Sequence, residues 1–417
     1  MAGLPDPREN GDGRLGGHQC VLTREGSGIR KVALIYDRLD GYAGGERVLE
    51  QMIDLFPQAD VCSSIDILTD ADRGFLRGKT PILTFAQRLP FVRHHHRQFL
   101  LLLMFAIEQL DLSDYPLVLS GSASIAKGVL TGPEQLHIAY IHSPMRYAWD
   151  LQHQYLRESN LDKGLKGMIA RWMLHRARIW DSRTANGVDH YIANSRFIAR
   201  RIWKVYRRES TVIYPPVDVD QFVLRPNKDS FYLTASRMMP YKKIPAIVEA
   251  FRDLPDRKLV VVGDGTEMSR IKAVAGPNVE ILGYQPTDVL RDLMQRARAF
   301  VFAAEEDFGI TPVEAQACGT PVIAFGRGGA VETIRGIEQQ KPTGVFFDKQ
   351  TPAAISEAIR TFERHQDRIA PVDCRENAQR FSAQIFRDTY SRFVEQCWAE
   401  FRDRSPQPRP ERLIGVA

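Results

Sequence analysis

The sequence predicts an α/β protein built from two doubly wound, Rossmann-like domains that face a central cleft. Three observations lead there. Short runs of β-branched and apolar residues alternate with longer amphipathic stretches along most of the chain, the pattern of parallel strands covered on both faces by helices. The alternation is interrupted at Tyr214-Pro215-Pro216-Val217-Asp218, where two prolines remove backbone donors and hold the preceding residues extended. The chain has 417 residues, enough for roughly two domains of ~150 residues with segments to spare.

Taken in order, the strand runs before the prolines are 32–36 (VALIY), 117–119 (LVL), 138–141 (IAYI) and 190–193 (HYIA). Those after them are 231–235 (FYLTA), 259–262 (LVVV), 279–282 (VEIL), 299–303 (AFVFA) and 321–325 (PVIAF). The prolines therefore divide a first domain, 30–215, from a second, 216–380. A last helical stretch, 381–401, follows the final strands and is placed to return to the first domain. Residues 1–29, polar and Gly-rich, read as a flexible leader and 402–417 as a tail. Ligands of open α/β sheets bind at the carboxyl ends of the strands, so motifs that carry chemistry belong just after these runs.

Hydrophobic residues make up 44% of the chain and charged residues 26%, a globular composition that excludes disorder. The longest apolar run, Phe99 to Ile107, has nine residues, where a spanning helix needs ~20. The leader lacks the apolar core of a secretory signal, which leads to the expectation of a cytoplasmic protein. Cys20, Cys62, Cys318, Cys374 and Cys397 are odd in number and far apart, which argues against a disulfide framework or a zinc site. The net charge of +5 is unevenly spread: Arg157 to Arg208 holds 13 Lys/Arg against 4 Asp/Glu, a net +9 in 52 residues. Such a region suits an anionic partner. No recognised nucleic-acid motif accompanies it, so nucleic acid is not expected to be that partner.

The first strand leads into Asp37-Arg38-Leu39-Asp40-Gly41-Tyr42-Ala43-Gly44-Gly45-Glu46-Arg47 and a helical pattern. Glycines at a strand-to-helix turn let backbone N–H groups approach an anion, and the helix N-terminus adds its positive end. After 231–235 come Ser236-Arg237-Met238-Met239-Pro240-Tyr241-Lys242-Lys243, a guanidinium and an ammonium for phosphate oxygens. After 299–303 the chain reads Glu305-Glu306-Asp307-Phe308-Gly309-Ile310-Thr311-Pro312-Val313-Glu314, then Cys318-Gly319-Thr320-Pro321. Pro312 suits a first helical turn and Gly319 a helix end, which puts Glu306 just before a helix and Glu314 about two turns later, within it. The carboxylate pairs Asp70/Asp72 and Asp218/Asp220 occupy a polar loop and the junction, and consecutive His94-His95-His96 point in different directions on a helix, so none is read as a metal site.

Glu306-x7-Glu314 in its E-D-F-G-I-T-P-V-E-A setting resembles the signature of the family 4 retaining glycosyltransferases, which have the GT-B fold. Ser236-Arg237 with Lys242, Ala193-Asn194-Ser195, the Tyr214–Asp218 junction, Gly263-Asp264-Gly265 and Leu282-Gly283-Tyr284 fall in the family's order over about 30–390. The resemblance implies that Arg237 and Lys242, with Lys243 adjacent, neutralise the donor diphosphate, that Glu306 meets hydroxyls of the transferred sugar, and that Glu314 accepts from the ribose. It further implies donor contacts from Gly44, Gly45, Gly263, Tyr284, Ile310 and the backbone of Phe308 and Gly309. His142, in Tyr140-Ile141-His142-Ser143-Pro144, matches a histidine near the reacting sugar. No cofactor or metal is required by this resemblance.

Tyr140 to Asp150 (YIHSPMRYAWD) together with SRMMPYKK is similar to bacterial mannosyltransferases of polysaccharide assembly. That similarity implies GDP-mannose as donor and a polyprenyl-diphosphate-linked saccharide as acceptor, in cell-surface polysaccharide biosynthesis. The alternatives are another nucleotide sugar such as a UDP-sugar, or a GT-B-like sugar-nucleotide epimerase. A lipid-linked acceptor gives a role to the cationic and apolar segments Arg88–Phe105 and Lys163–Arg183 at an anionic membrane surface, with the protein peripheral on the inner face of the cytoplasmic membrane. For Phe99–Phe105, a buried core helix is the other reading.

Overall fold

The computed structural model describes residues 31–92 and 96–404. In the first part of the chain, β1 (Val32–Tyr36), β2 (Asp60–Ser63), β3 (Ile82–Leu83), β4 (Leu117–Ser122), β5 (Leu136–Ile141), β6 (His190–Ala193) and β7 (Thr211–Val212) form a parallel sheet in the order β3-β2-β1-β4-β5-β6-β7. Its central strands are buried over their whole length, which is why they read as unbroken apolar runs. In the second part, β8 (Tyr232–Ala235), β9 (Leu259–Val262), β10 (Val279–Gly283), β11 (Ala299–Phe302), β12 (Val322–Phe325) and β13 (Gly344–Phe347) form another, in the order β10-β9-β8-β11-β12-β13. Every strand pair is parallel. The strand order reverses between β1 and β4 and between β8 and β11, so each sheet opens a crevice there, beyond the strands' carboxyl ends.

The nine strand runs read from sequence are all strands. Four others escaped that reading for local reasons. Strand β2 is DVCS, with an exposed Asp at one end and a Ser at the other. Strands β3 and β7 are two-residue edge pairings, and β13 starts at Gly344, where a Cβ would lie 2.0 Å from the Val322 carbonyl oxygen.

The chain passes between the two sheets twice, and the passages are tied together: Val217 N–H donates to the Phe381 carbonyl at 2.8 Å and Val217 bridges Ser382. The helix Ala383–Arg404 then lies on the first sheet. Phe386, Tyr390, Val394 and Cys397, at helical spacing, are buried with Leu34, Leu119, Tyr140 and Ile192 in one cluster. Partly buried Trp398 and Phe401 extend that packing, and the helix continues to Arg404, past the expected end at Phe401. The expected leader 1–29, and 405–417 of the expected tail, lie outside the described residues.

Two apolar segments also take their places. The helix Leu100–Ile107 buries Leu103, Met104, Ala106 and Ile107 and turns Phe105 outward, so it is a core helix. Trp180 packs against the same cluster, donates its Nε1–H to Glu108 at 2.8 Å, and sits where a side chain on Gly128 would collide with it at 2.3 Å. It is structural and is not an interfacial residue.

Tyr390 is fully buried, and its hydroxyl finds no partner. Tyr390→Ala is expected to destabilise the protein by about 3–5 kcal/mol through the cavity it leaves, whereas Tyr390→Phe removes only an unsatisfied hydroxyl and should leave stability unchanged or raised. Denaturant unfolding of both variants checks the contrast.

Candidate active site

The loop after β1 ends in the helix Gly44–Leu55. Both leading glycines lie at close approaches, the second the more confined. A Cβ on Gly44 would lie 2.8 Å from Ile310 Cδ1 of the second domain, and one on Gly45 would lie 2.2 Å from the Tyr36 hydroxyl and 3.7 Å from His142 Cε1. Glu46 fastens the turn by accepting from Tyr36 Oη at 3.1 Å and from Ala43 N–H at 3.0 Å.

His142 follows β5, its N–H donating to the Ser122 carbonyl at 2.9 Å and its carbonyl accepting from Asn194 Nδ2 at 2.9 Å. Its ring stands between Tyr36 and Tyr140, with centroids 6.1 and 5.2 Å away. Burial pushes the imidazole down to about 4, so it is neutral at pH 7, and Nε2 is buried without a partner beside Gly121, whose Cβ would be 3.5 Å away.

In the second domain the loop after β8 carries Arg237, exposed, and the turn Pro240–Lys242. Gly263 after β9 adopts φ +124°, and a Cβ there would lie 1.9 Å from the Ser236 carbonyl oxygen, so the two loops touch backbone to backbone only because this position is glycine. Lys242 is ion-paired with Glu306 of the loop after β11. Burial, with Arg237 and Arg146 adding like charge, pushes its ammonium down to about 8. Glu306 is held from below by a glycine turn: Gly329 N–H donates to the Glu306 carbonyl at 2.8 Å, and Gly328, at φ +70°, comes so near that a Cβ would lie 2.4 Å from the same oxygen.

Gly309 caps the helix Ile310–Ala317, which carries Glu314. The Phe308 ring turns into the core, 5.8 Å from Tyr214 and 5.4 Å from Phe381, leaving its backbone for any ligand. Tyr284 follows edge strand β10 and is 78% exposed.

Arg47, Asp307, Arg146 and Arg201, all at this cleft, were missed in the sequence. Glu314 is buried and accepts from Arg47 Nη1 of the first domain at 2.8 Å. Asp307, next to Glu306, stands 3.4 Å from Arg146 and 3.8 Å from Arg201. Burial raises its carboxyl, and the two guanidiniums oppose that rise. Its carbonyl accepts from Ser195 Oγ at 2.6 Å. These side chains sit inside segments singled out for other residues, and their partners are remote in the chain. Between the domains lies a cavity of ≈ 410 Å³ whose walls include Arg146, Arg201, Lys243 and Asp307, a size usual for small-molecule sites. Among the described residues no group of three or more His, Cys, Asp and Glu is arranged to hold a metal ion.

Comparison with known proteins yields family models and similar folds. Residues 42–221 match the family model "Glycosyltransferase Family 4" and residues 218–381 the model "Glycosyl transferases group 1". The chain is 26% identical over 232 residues to the D-inositol 3-phosphate glycosyltransferase of Mycobacterium marinum, covering 49% of each chain. It is 33% identical over 114 residues to the GDP-mannose-dependent monoacylated alpha-(1-6)-phosphatidylinositol monomannoside mannosyltransferase of Corynebacterium glutamicum, covering 24% of this chain and 30% of that one. The chain spans about half the length, or less, of the curated relatives it matches. Anabaena HepE, solved in complex with UDP-glucose, superposes with a TM-score of 0.61 at 18% identity over 88% of this chain and 99% of that one. The fold is therefore the α/β GT-B fold.

Arg47→Met leaves the Glu314 carboxylate without its cation and is expected to cost about 1–3 kcal/mol. The double variant Arg47→Met/Glu314→Gln should cost less than the sum of the two single variants, since it abandons the pair together. A double-mutant cycle by thermal unfolding measures this.

Proposed function

We propose that this chain, a family 4 glycosyltransferase by the two family models that together span residues 42–381, transfers a hexose from a nucleoside diphosphate sugar in the interdomain cleft with retention of anomeric configuration. The observation that carries this reading is the Lys242–Glu306 pair at the carboxyl ends of β8 and β11. Breaking the anomeric C–O bond leaves positive character on the sugar and negative charge on the diphosphate. Fixed cations at the diphosphate lower that barrier.

In this mechanism Lys242 and Arg237, with Lys243 adjacent, hold the departing diphosphate, and Gly44 and Gly45 approach it from the first domain. Glu306 releases Lys242 to the phosphate and accepts from hydroxyls of the sugar. Neutral His142 presents Nε2 to the reacting sugar, and Glu314, held by Arg47, accepts from the ribose. Gly263, Tyr284, Ile310 and the backbone of Phe308 and Gly309 bound the nucleotide side. The reaction as proposed needs no metal.

GDP-mannose is the proposed donor, supported by the Corynebacterium relative that carries that nucleotide sugar in its name. A UDP-sugar is the second reading, favoured by the UDP-glucose bound to the HepE neighbour. An epimerase would turn over the sugar nucleotide with no acceptor present, which separates it from both.

The proposed acceptor is a polyprenyl-diphosphate-linked saccharide of cell-surface polysaccharide assembly, met at the cytoplasmic face of the membrane. The helix Gly164–Thr184 supports this. Leu165, Met168, Ile169 and Trp172, spaced along one helical face, are 68%, 62%, 51% and 59% exposed. Lys166 and Arg176 are exposed on the same helix, and Lys163 is exposed at its N-cap. Exposed apolar and cationic residues together make an interfacial element. Only part of the +9 region is available for this role, because Arg171, Arg178 and Arg208 donate to backbone carbonyls and Arg201 lies in the cleft. Among the described residues no helix is long and apolar enough to cross a membrane.

Lys242→Ala and Glu306→Gln are each expected to lower kcat/KM by at least ~10²-fold in a transfer assay, and wild-type activity should survive EDTA. Because the Lys242 ammonium lies near 8 instead of its ordinary 10.5, the free enzyme loses this cation as pH rises through 8. Donor kcat/KM should fall over that range, and Lys242→Arg, whose cation does not titrate there, should abolish the fall.

Trp172→Ser and Lys166→Ser should each weaken sedimentation with vesicles of phosphatidylglycerol and phosphatidylcholine while sparing nucleotide binding. Wild-type binding should decline with added salt, since exposed charges are screened within ~10 Å at 0.1 M. Sedimentation of both variants like wild type would contradict the membrane assignment.

A further inference from the structure

Asp181, on the helix Gly164–Thr184, is a fully buried carboxylate that ties three other segments to that helix. It takes Lys127 Nζ at 2.9 Å, Trp149 Nε1 at 2.7 Å and the Tyr206 hydroxyl at 3.1 Å. Lys127, from the turn after β4, is buried as well and donates to the Asp181 carbonyl and to Thr184 Oγ1, each at 2.9 Å, so all its ammonium donors are met. None of these side chains lines the interdomain cavity. A buried ion pair is weak evidence for stability, since apolar groups of similar volume often serve as well. What a fully satisfied buried network does supply is rigid placement of its members.

The member that leads to the cleft is Trp149. It closes a tight turn in which its N–H donates to the Met145 carbonyl at 3.1 Å and Leu151 N–H donates to the Arg146 carbonyl at 3.1 Å. One turn back along the same helix, Arg178 Nη1 donates to the Ala148 carbonyl at 2.7 Å. Side chains three residues apart share a helix face, and these two hold the turn 145–151 at neighbouring residues. The Arg146 side chain leaves that turn for the cleft, where it stands 3.4 Å from Asp307 and adds like charge to Lys242. Arg178 belongs to the +9 region, so an inward-turned cation that the membrane reading leaves out also has a use.

We propose that Asp181 and Arg178 are positioning residues for the transfer reaction: from outside the cleft they fix the turn 145–151, and thereby the place of the Arg146 guanidinium beside Asp307. The assignment rests on the glycosyltransferase reading and adds to it two residues that touch no substrate. Lys242 reports where Arg146 stands. It faces Glu306 and Asp307 as opposite charges and Arg237 and Arg146 as like ones. When Arg146 draws back, the Lys242 ammonium loses a like charge and rises from about 8 toward its ordinary 10.5.

NMR titration of the Lys242 side chain in the full chain, carrying isotope-labelled lysine and assigned with Lys242→Arg, tests this without any substrate. Asp181→Asn strips buried Lys127 of its counter-ion and is the variant at risk of not folding, so Trp149→Phe and the double variant Trp149→Phe/Arg178→Met carry the test. In both, the Lys242 midpoint should rise by at least ~0.5 of a pH unit, toward that of Arg146→Gln. Tyr206→Phe removes a donor from the same carboxylate but leaves the turn attached, so its midpoint should stay within ~0.2 of wild type. In a transfer assay the double variant should lower kcat at least ~5-fold with donor Kd changed less than ~2-fold, while Tyr206→Phe does neither. The assignment is overturned if the folded Trp149 variants titrate Lys242 like wild type. It is equally overturned if Tyr206→Phe moves the midpoint as far as they do, the result expected of a role in stability alone. Absence of transfer by wild type would instead overturn the glycosyltransferase reading, and the Lys242 titration still decides the positioning.

Discussion

Acidic groups of the second domain are paired with donors or cations of the first, and the cleft has its shape because of that constraint. Glu332 accepts from the Arg196 and Phe197 N–H groups at 2.8 and 2.9 Å and from Tyr214 Oη at 3.1 Å. Glu314 is met by Arg47, and Asp307 by Arg146 and Arg201. A partly buried carboxylate is costly without a partner, so each of these contacts resists separation of the domains. Together they bring the helix after β1 and the segments after β5 and β6 against the segments after β11 and β12, beside the points where the two strand orders reverse.

Within that frame the proposed chemistry uses charges already present and paired. Lys242 and Glu306 are paired in the cleft, yet burial and the like charges of Arg237 and Arg146 still hold the ammonium below its ordinary range, because a buried ion pair need not offset its desolvation. A diphosphate offers Lys242 a stronger partner than a single carboxylate, and Glu306 is then free to accept from sugar hydroxyls. The displacement of Lys242 from its ordinary range by burial is the same fact viewed by titration. A cation kept out of water gains more from an arriving anion than one on the surface. The neutral state of His142 follows from the same exclusion of solvent.

The strand series, the Pro215-Pro216 junction and the E-x7-E segment were legible because each is a local pattern. Apolar runs report double-sided burial, prolines report extended backbone, and Pro312 and Gly319 bracket a helix. Arg47 was not legible as a partner of Glu314, since the two are 267 residues apart and nothing near Arg47 shows which carboxylate it will meet. Asp307 stood in plain view inside the motif, yet its role depends on Arg146 and Arg201, which arrive from the far side of the cleft. Gly328 and Gly329 were passed over because their necessity comes from the approach of the Glu306–Phe308 backbone, a tertiary fact. The apolar run at Phe99–Ile107 read equally as core or interface, and burial of Leu103, Met104, Ala106 and Ile107 decided for core.

The central claim is that Lys242 exchanges Glu306 for the donor diphosphate. A crystal structure of the chain with GDP or UDP bound tests it most directly. The account predicts a β-phosphate oxygen within hydrogen-bond distance of Lys242 Nζ, Arg237 beside the same diphosphate, and the Glu306 carboxylate separated from Lys242. A nucleotide bound elsewhere in the cleft, with the Lys242–Glu306 pair intact, would contradict it.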